Sequence, residues 1–193
     1  MSVFRTAQRR GARAHASPIR VVALHGFIEK WLAPRLVKLR AQHPTLRIEL
    51  SASEKPIDLD ASTHDVWISH VSEPPYPGKS ELLFATRISP VCTPAIASTL
   101  SDVGDEAFIL EHMHLYDTFW RDDWRHWFET QGKPAHSNGK EWLGFDLYSM
   151  VIQAAVDGMG LAIGHDALIE KELSSGLLVA PFAASVESPK SFT

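Results

Sequence analysis

A single cysteine, Cys92, stands among 193 residues. One thiol cannot close a disulfide within the chain, so a disulfide-stapled secreted fold is excluded and a reducing, cytoplasmic setting fits best. No apolar run approaches the roughly 20 residues that span a bilayer, and no membrane partner is expected. Residues 1–20 lack the apolar core of a secretory signal peptide, which argues against an exported solute-binding protein. The motifs of common chemistries are missing as well. There is no G-x-S-x-G elbow, no GxxxxGK[ST] phosphate loop, no HExxH, and no Cys and His cluster with zinc spacing. Gly158-Met159-Gly160 follows a helical pattern and precedes a strand-like one, the reverse of the order a dinucleotide site needs. Of the ten histidines, His112 and His114 share a face only if their segment is a strand. No metal site, cofactor or catalytic residue is predicted.

What is present is ordinary for a globular protein: 45% hydrophobic and 22% charged residues, enough for one domain or two small ones. Charge is unevenly placed. Arg5, Arg9, Arg10, Arg13 and Arg20 give residues 1–20 a net +5, which leaves 14 basic against 23 acidic side chains, or −9, in the rest. That body repels DNA. Residues 1–16 read as a basic, disordered tail or linker remnant.

From Ser17 to Leu50 the pattern is strand, helix, strand. Ile19 to Leu24 is nearly all apolar, as in a strand covered on both faces. Phe27, Ile28, Trp31, Leu32, Leu36 and Leu39 recur at helical spacing up to His43-Pro44, and Leu46, Ile48 and Leu50 then alternate with polar residues. A parallel strand pair with a crossover helix leaves the His25-Gly26 loop at the carboxyl edge of the sheet, where free helix amides attract an anion. Further along, a turn and short helix are read over 56–65, a strand over Val66–His70, a proline-rich loop over Glu73–Gly78 and a strand over Leu82–Val91. The second half is predicted as a helix over Ala95–Leu100, strands over Phe108–Leu110 and His114–Tyr116, and a helix over Asp122–Gln131 with Trp124, Trp127 and Phe128 inward. It continues with a strand over Trp142–Phe145, a helix from an Asp146 cap to Val156 closed by Gly158, and a strand over Leu161–Ile163. A helix over Asp166–Leu173 and a strand over Leu177–Val179 follow. Such alternation means an α/β fold with mostly parallel sheets.

Six segments, in order, also carry a family resemblance: VVALHGFIEKWLAPRLVKLRAQHPTLRIEL, Asp65 to Ile68, Leu83 to Ala95, Arg121 to Trp127, Gln153 to Gly164, and Gly176 to Phe182. Together they resemble the effector-binding domain of LysR-type transcriptional regulators, in particular the subgroup resembling the glycine-cleavage activator. The resemblance implies a bilobed, periplasmic-binding-protein-like fold of two Rossmann-like subdomains joined by two crossover strands. Residues 17–89 and 182–193 would form subdomain I, and 90–181 subdomain II. It implies a small-molecule effector, a carboxylate or amino acid, held in the interlobe cleft to modulate transcription. It also implies a homodimer of side-by-side effector domains, with the Trp31 helix against the partner's second lobe. In the family a helix-turn-helix precedes this domain and a further strand and helix follow the second crossover. The chain is therefore expected to be truncated, with subdomain I incomplete and DNA bound only if a helix-turn-helix is supplied. The alternatives are a small-molecule enzyme of unknown chemistry on the same fold, or a nonfunctional regulator fragment.

The effector-binding candidates lie at strand ends. Gly26 occupies a position where the family commonly has a hydroxyl residue for an effector carboxylate, and His25 one where proline is frequent; Phe27 is next in that loop. Ser69 and His70 stand where arginine and tyrosine are often found, and either line the cleft or finish a strand. Cys92 and Thr93 lie at the first crossover, Cys92 as a buried inert thiol and Thr93 as a ligand donor or a helix cap. Phe145 and Asp146 sit at a helix start, Asp146 as its N-cap beside the amides of Tyr148 and Ser149. His165 replaces a frequent arginine, so a fixed cation becomes a titratable one. Tyr116 and Asp117 precede the tryptophan-rich helix and complete the set.

Overall fold

The apolar start extends as predicted: Ile19–Ala23 is strand β1, with Val21, Val22 and Ala23 buried. The computed structural model describes residues 17–54, 63–72, 80–100, 108–109, 111–132 and 142–193. The basic tail, the Glu73–Gly78 loop and most of the 56–65 turn fall outside them. The chain divides into two units, Met1–Ala85 with Pro189–Thr193, and Thr86–Ser188.

In the first unit, β1 is followed by α1 (His25–Phe27), a π-helical stretch (Ile28–Leu32) and α2 (Ala33–Gln42). Pro34 accounts for the widened turn. It has no N–H to donate, and its ring crowds the carbonyl four residues earlier, so the backbone spreads just before it. Strands β2 (Ile48–Ala52) and β3 (Val66–Ile68) pair parallel on either side of β1, with Ile19 opposite Ile48 and Val21 opposite Val66. An antiparallel pair completes the unit: β4 (His70–Val71) against the end of β9 (Val186–Phe192), His70 opposite Phe192. Phe192 packs on Phe27, Phe84 and His70 with ring centroids 4.9, 5.1 and 4.5 Å apart, a compact aromatic core. No strand is predicted over 186–192, where Pro189 and alternating polar residues obscure the pattern. Tertiary pairing makes it one nonetheless.

The second unit takes most of β5 (Phe84–Val91). Strand β8 (Leu161–His165) is antiparallel to β5, while β6 (His114–Asp117) is parallel both to β8 and to β7 (Trp142–Phe145). This sheet is thus mixed, while the β2, β1, β3 sheet of the first unit is wholly parallel as expected. Helices α3 (Pro94–Ala97), α4 (Asp123–Thr130), α5 (Tyr148–Val156) and α6 (Glu170–Ser174) cover the mixed sheet. As expected, Trp124, Trp127 and Phe128 point inward, packed with Phe108, Ile88 and Leu161. Gly158 closes α5 with φ 82, a left-handed conformation that favours glycine.

Four local expectations are corrected. Phe108 and Ile109 are helical, since a short apolar run fits either period and only packing decides. Leu177–Val179 makes one bridge, Cys92 with Val179, instead of a strand. The helix after β8 starts at Glu170, because Asp166 turns its carboxylate to Thr86, Arg87 and its neighbour Ala167. Phe182 belongs to the second unit's core, so the chain re-enters the first unit at Pro189 and not near residue 182.

Candidate functional site

In α/β sheets, ligands bind beyond the carboxyl ends of parallel strands, so the two such edges of this chain are the places to look. At the first, β1, β2 and β3 deliver His25, Glu54 and Ser69-His70. The His25 amide opens α1, and Glu54 Oε1 accepts from it at 2.8 Å. Ser53 N–H donates to Ala23 O at 2.9 Å, extending the strand pairing past β2 and so bringing Glu54 beside that amide. On the other side of His25, its Nδ1 lies 3.6 Å from Glu29 Oε2, one helical turn on. The amide predicted to be open to an anion therefore has an internal carboxylate on it. Gly26 and Phe27 are buried, and the Phe27 ring stacks on Trp31 at 5.1 Å. Ser69 exchanges two backbone hydrogen bonds with Thr193, and its hydroxyl lies 3.1 Å from the Thr193 hydroxyl. His70 is buried against Phe192.

The second edge is built from the ends of β6, β7 and β8 and the starts of α4 and α5. His165, the last residue of β8, is 0% exposed, and its Nε2 lies 2.8 Å from Asp123 Oδ2. Its backbone N–H donates to the Tyr148 hydroxyl at 2.9 Å. Trp120 covers the imidazole at 4.4 Å between centroids and meets Tyr148 edge-on at 4.5 Å. Asp117, the last residue of β6, accepts from the Phe119 and Trp120 amides at 2.9 Å each. Burial pushes its carboxyl up to about 6, against the lowering effect of those two amides and of His165. Burial likewise holds the Tyr148 phenol well above 10, so it stays protonated.

The remaining predicted residues sit around this group. Tyr116 lies over Gly144, where a Cβ would come within 2.7 Å of its ring, and packs edge-on to Trp142 at 5.9 Å. Phe145 ends β7 half-buried. Asp146 is exposed and does not cap α5: Leu147 holds that position, with no side-chain hydrogen bond. At the start of α3, Thr93 Oγ1 accepts from Ile96 N–H at 3.3 Å, the cap reading of this residue. Cys92 is sealed, its thiol pushed up to about 11 by burial. Glu54, Asp123, Tyr148 and Trp120 belong to these edges although spacing did not single out their side chains. The strand register could have found Glu54, since it follows β2 where β2 flanks β1. Among the described residues no group of three or more His, Cys, Asp or Glu is placed to hold a metal ion, and no helix is long and apolar enough to cross a membrane.

Two α/β units that share crossover strands and gather polar groups at their strand ends define a periplasmic-binding-protein-like effector domain. The chain matches the LysR substrate binding domain model over residues 12–191 and belongs to that family. It is 29% identical over 168 residues to the HTH-type transcriptional activator AmpR of Pseudomonas aeruginosa, covering 87% of this chain and 55% of that one. It is 31% identical over 172 residues to the HTH-type transcriptional regulator PerR of Escherichia coli, covering 87% and 55%. The glycine cleavage system transcriptional activator of E. coli is 29% identical over 182 residues, covering 94% and 59%. The chain thus spans about half the length of the curated relatives it matches, which are transcriptional regulators and not enzymes. Among solved structures, the effector domain of P. aeruginosa AmpR superposes with a TM-score of 0.76 at 28% identity, covering 92% of this chain and 84% of that one. The AmpR effector binding domain from Citrobacter freundii gives 0.77 at 25% identity, covering 92% and 86%.

Proposed function

We propose that this chain is the effector-sensing part of a LysR-type transcriptional regulator, taking a small organic acid or amino acid at its strand edges to modulate transcription in the cytoplasm. The family match over residues 12–191 carries the reading. On this reading His25, Gly26, Ser69 and His70 serve the first edge, and Tyr116, Phe145 and Asp146 the second, with His165 sealed behind them. Phe27, Cys92 and Thr93 act as the packed supports behind them. A binding role is supported by the relatives, which are transcriptional regulators.

DNA contact belongs to a helix-turn-helix supplied elsewhere in a complete regulator, since residues 21–193 carry a net −9 that repels phosphate. Pairing with a second copy is supported by α2, which buries none of its residues and leaves Val37 75% exposed. The direct test is a thermal-shift screen of the folded chain against amino acids and small carboxylates. A ligand at a hundred times its Kd adds about 2.7 kcal/mol, several degrees for a chain of this size. A set of related acids that raises Tm in proportion to concentration is the expected result. A folded sample indifferent to every one of them would sink the sensing role.

A further inference from the structure

We propose that the turn from Thr118 to Asp122 is a proton-controlled gate over the second edge: Asp117 keeps it shut while its carboxyl is protonated and lets it open as that proton leaves. The gate is one chain of contacts. Asp117, at the end of β6, accepts from the Phe119 and Trp120 amides at 2.9 Å each. The Trp120 carbonyl in turn accepts from the Asp123 amide at 3.0 Å, where α4 begins. Asp123 Oδ2 reaches His165 Nε2 at 2.8 Å, and the Trp120 ring lies over that same imidazole. Lifting the turn therefore uncovers Asp117 and the His165 and Asp123 pair together. It can lift without its neighbours, because it joins β6 to α4 as irregular chain with Thr118, Arg121 and Asp122 exposed.

Charge sets the direction of the response. Asp117 acts on Asp123 of α4, His165 of β8 and the Tyr148 phenol of α5, and Glu172 of α6 acts on that phenol as well. Toward β7 its register partner is Phe145, followed by the exposed Asp146. Three buried carboxylates thus gather around one imidazole and a phenol that keeps its proton. A charge on Asp117 adds to that negative excess and is cut off from water. Shut under the turn, its carboxyl is held up to about 6 by burial; hydrated by opening, it returns toward 3.8. Below both values it is protonated in either state, and the gate is at its tightest. As pH rises through 6, the shut state must hold a charge that the open state gives to water, so opening becomes more frequent.

Native-state hydrogen exchange of the isotope-labelled chain, read at single amides and corrected for the intrinsic pH dependence of exchange, tests the gate. Protection of the Phe119 and Trp120 amides should fall about twentyfold between about pH 4.5 and about pH 7.5. Low urea should leave their opening unchanged, whereas Leu115, buried within β6, should exchange through a urea-dependent unfolding of the unit. Equal protection at both pH values overturns the gate. So does an opening of the two amides that depends on urea as steeply as that of Leu115, since the turn then moves only when the unit unfolds. In D117N the side chain keeps an acceptor without a charge, and protection of both amides should be the same at the two pH values. A D117N chain that folds and retains the wild-type fall would assign the proton to another group and overturn the proposal equally. No effector enters the measurement, so its outcome and that of the thermal-shift screen are independent.

Discussion

At the end of β1 a half-buried glutamate meets a helix amide, whereas at the ends of β6 and β8 two aspartates, a histidine and a tyrosine are sealed together. The same element of the fold, a carboxyl strand edge, is thus managed in two ways. A carboxylate that water can reach is exchangeable: if its bond breaks, both groups are resolvated, and the net loss is small. A sealed network is all or nothing, because each member desolvates the others and none can turn to solvent when its neighbour is lost. The first edge is therefore exchangeable down to its polar contacts. At the second, only the rim of Tyr116, Phe145 and Asp146 meets the outside, and the sealed group behind it holds the fold of its unit.

The sharpest way to break this comparison is D123A. It takes the carboxylate from His165 Nε2 and leaves the imidazole buried under Trp120, so unfolding of the second unit should become about 3–5 kcal/mol easier, as when one partner of a buried pair is removed. Urea unfolding followed by tryptophan fluorescence measures it. A loss below about 1 kcal/mol, the size typical of exposed pairs, would show that the second edge is wetter than its burial implies.

D117N should act in the opposite direction. Asn keeps an oxygen for the Phe119 and Trp120 amides but removes the charge that burial penalises. The folded-state value is raised from 3.8 to about 6, so between these values the folded protein holds a proton that the unfolded chain has released. This group's contribution is greatest below the unfolded value and is lost as pH rises through 6. With Asp117 only 4% exposed, the wild type is expected to lose about 2–3 kcal/mol from this source between about pH 4 and pH 7.5. D117N should lack that slope, be more stable than wild type by about the same 2–3 kcal/mol at neutral pH, and match it in acid. Unfolding curves at the two pH values decide it: equal slopes would mean that Asp117 is not held up by burial.

Much of the scaffold was legible because its signals are local. The apolar run of β1, the helical period through Leu39, the inward face of Trp124, Trp127 and Phe128, and the bounds of β7 all follow from side-chain spacing. What spacing cannot show is what a distant segment will do to a weak pattern. Over 186–192 the polar alternation and Pro189 read as loop until His70 pairs with Phe192. The edges were half legible for the same reason. Residues that end a predicted strand, such as His25, Ser69, Phe145 and His165, could be named from the α/β rule alone. Glu54 lay within reach of the predicted parallel pair, as the residue leaving β2 beside β1, whereas Asp123 could not be named, since it depends on the start of α4 meeting the end of β8. Asp146 failed as a cap for a smaller reason: α5 starts one residue later than the aspartate can serve, with Leu147 at its N-cap.

The smallest expected effect falls where the comparison is most exposed to refutation. Removing the Glu54 side chain with E54A deletes one hydrogen bond to the His25 amide, a partner that water or an added anion can replace. The stability of the first unit should then drop by about 1 kcal/mol or less, several times below the cost of D123A in the second. If acetate is present, even that loss should shrink, because a bound anion returns what the side chain supplied. Paired unfolding curves of E54A with and without acetate read this directly. A loss as large as that of D123A, unrelieved by acetate, would mean that Glu54 is a structural strut like the sealed aspartates, and that the two edges are built alike after all.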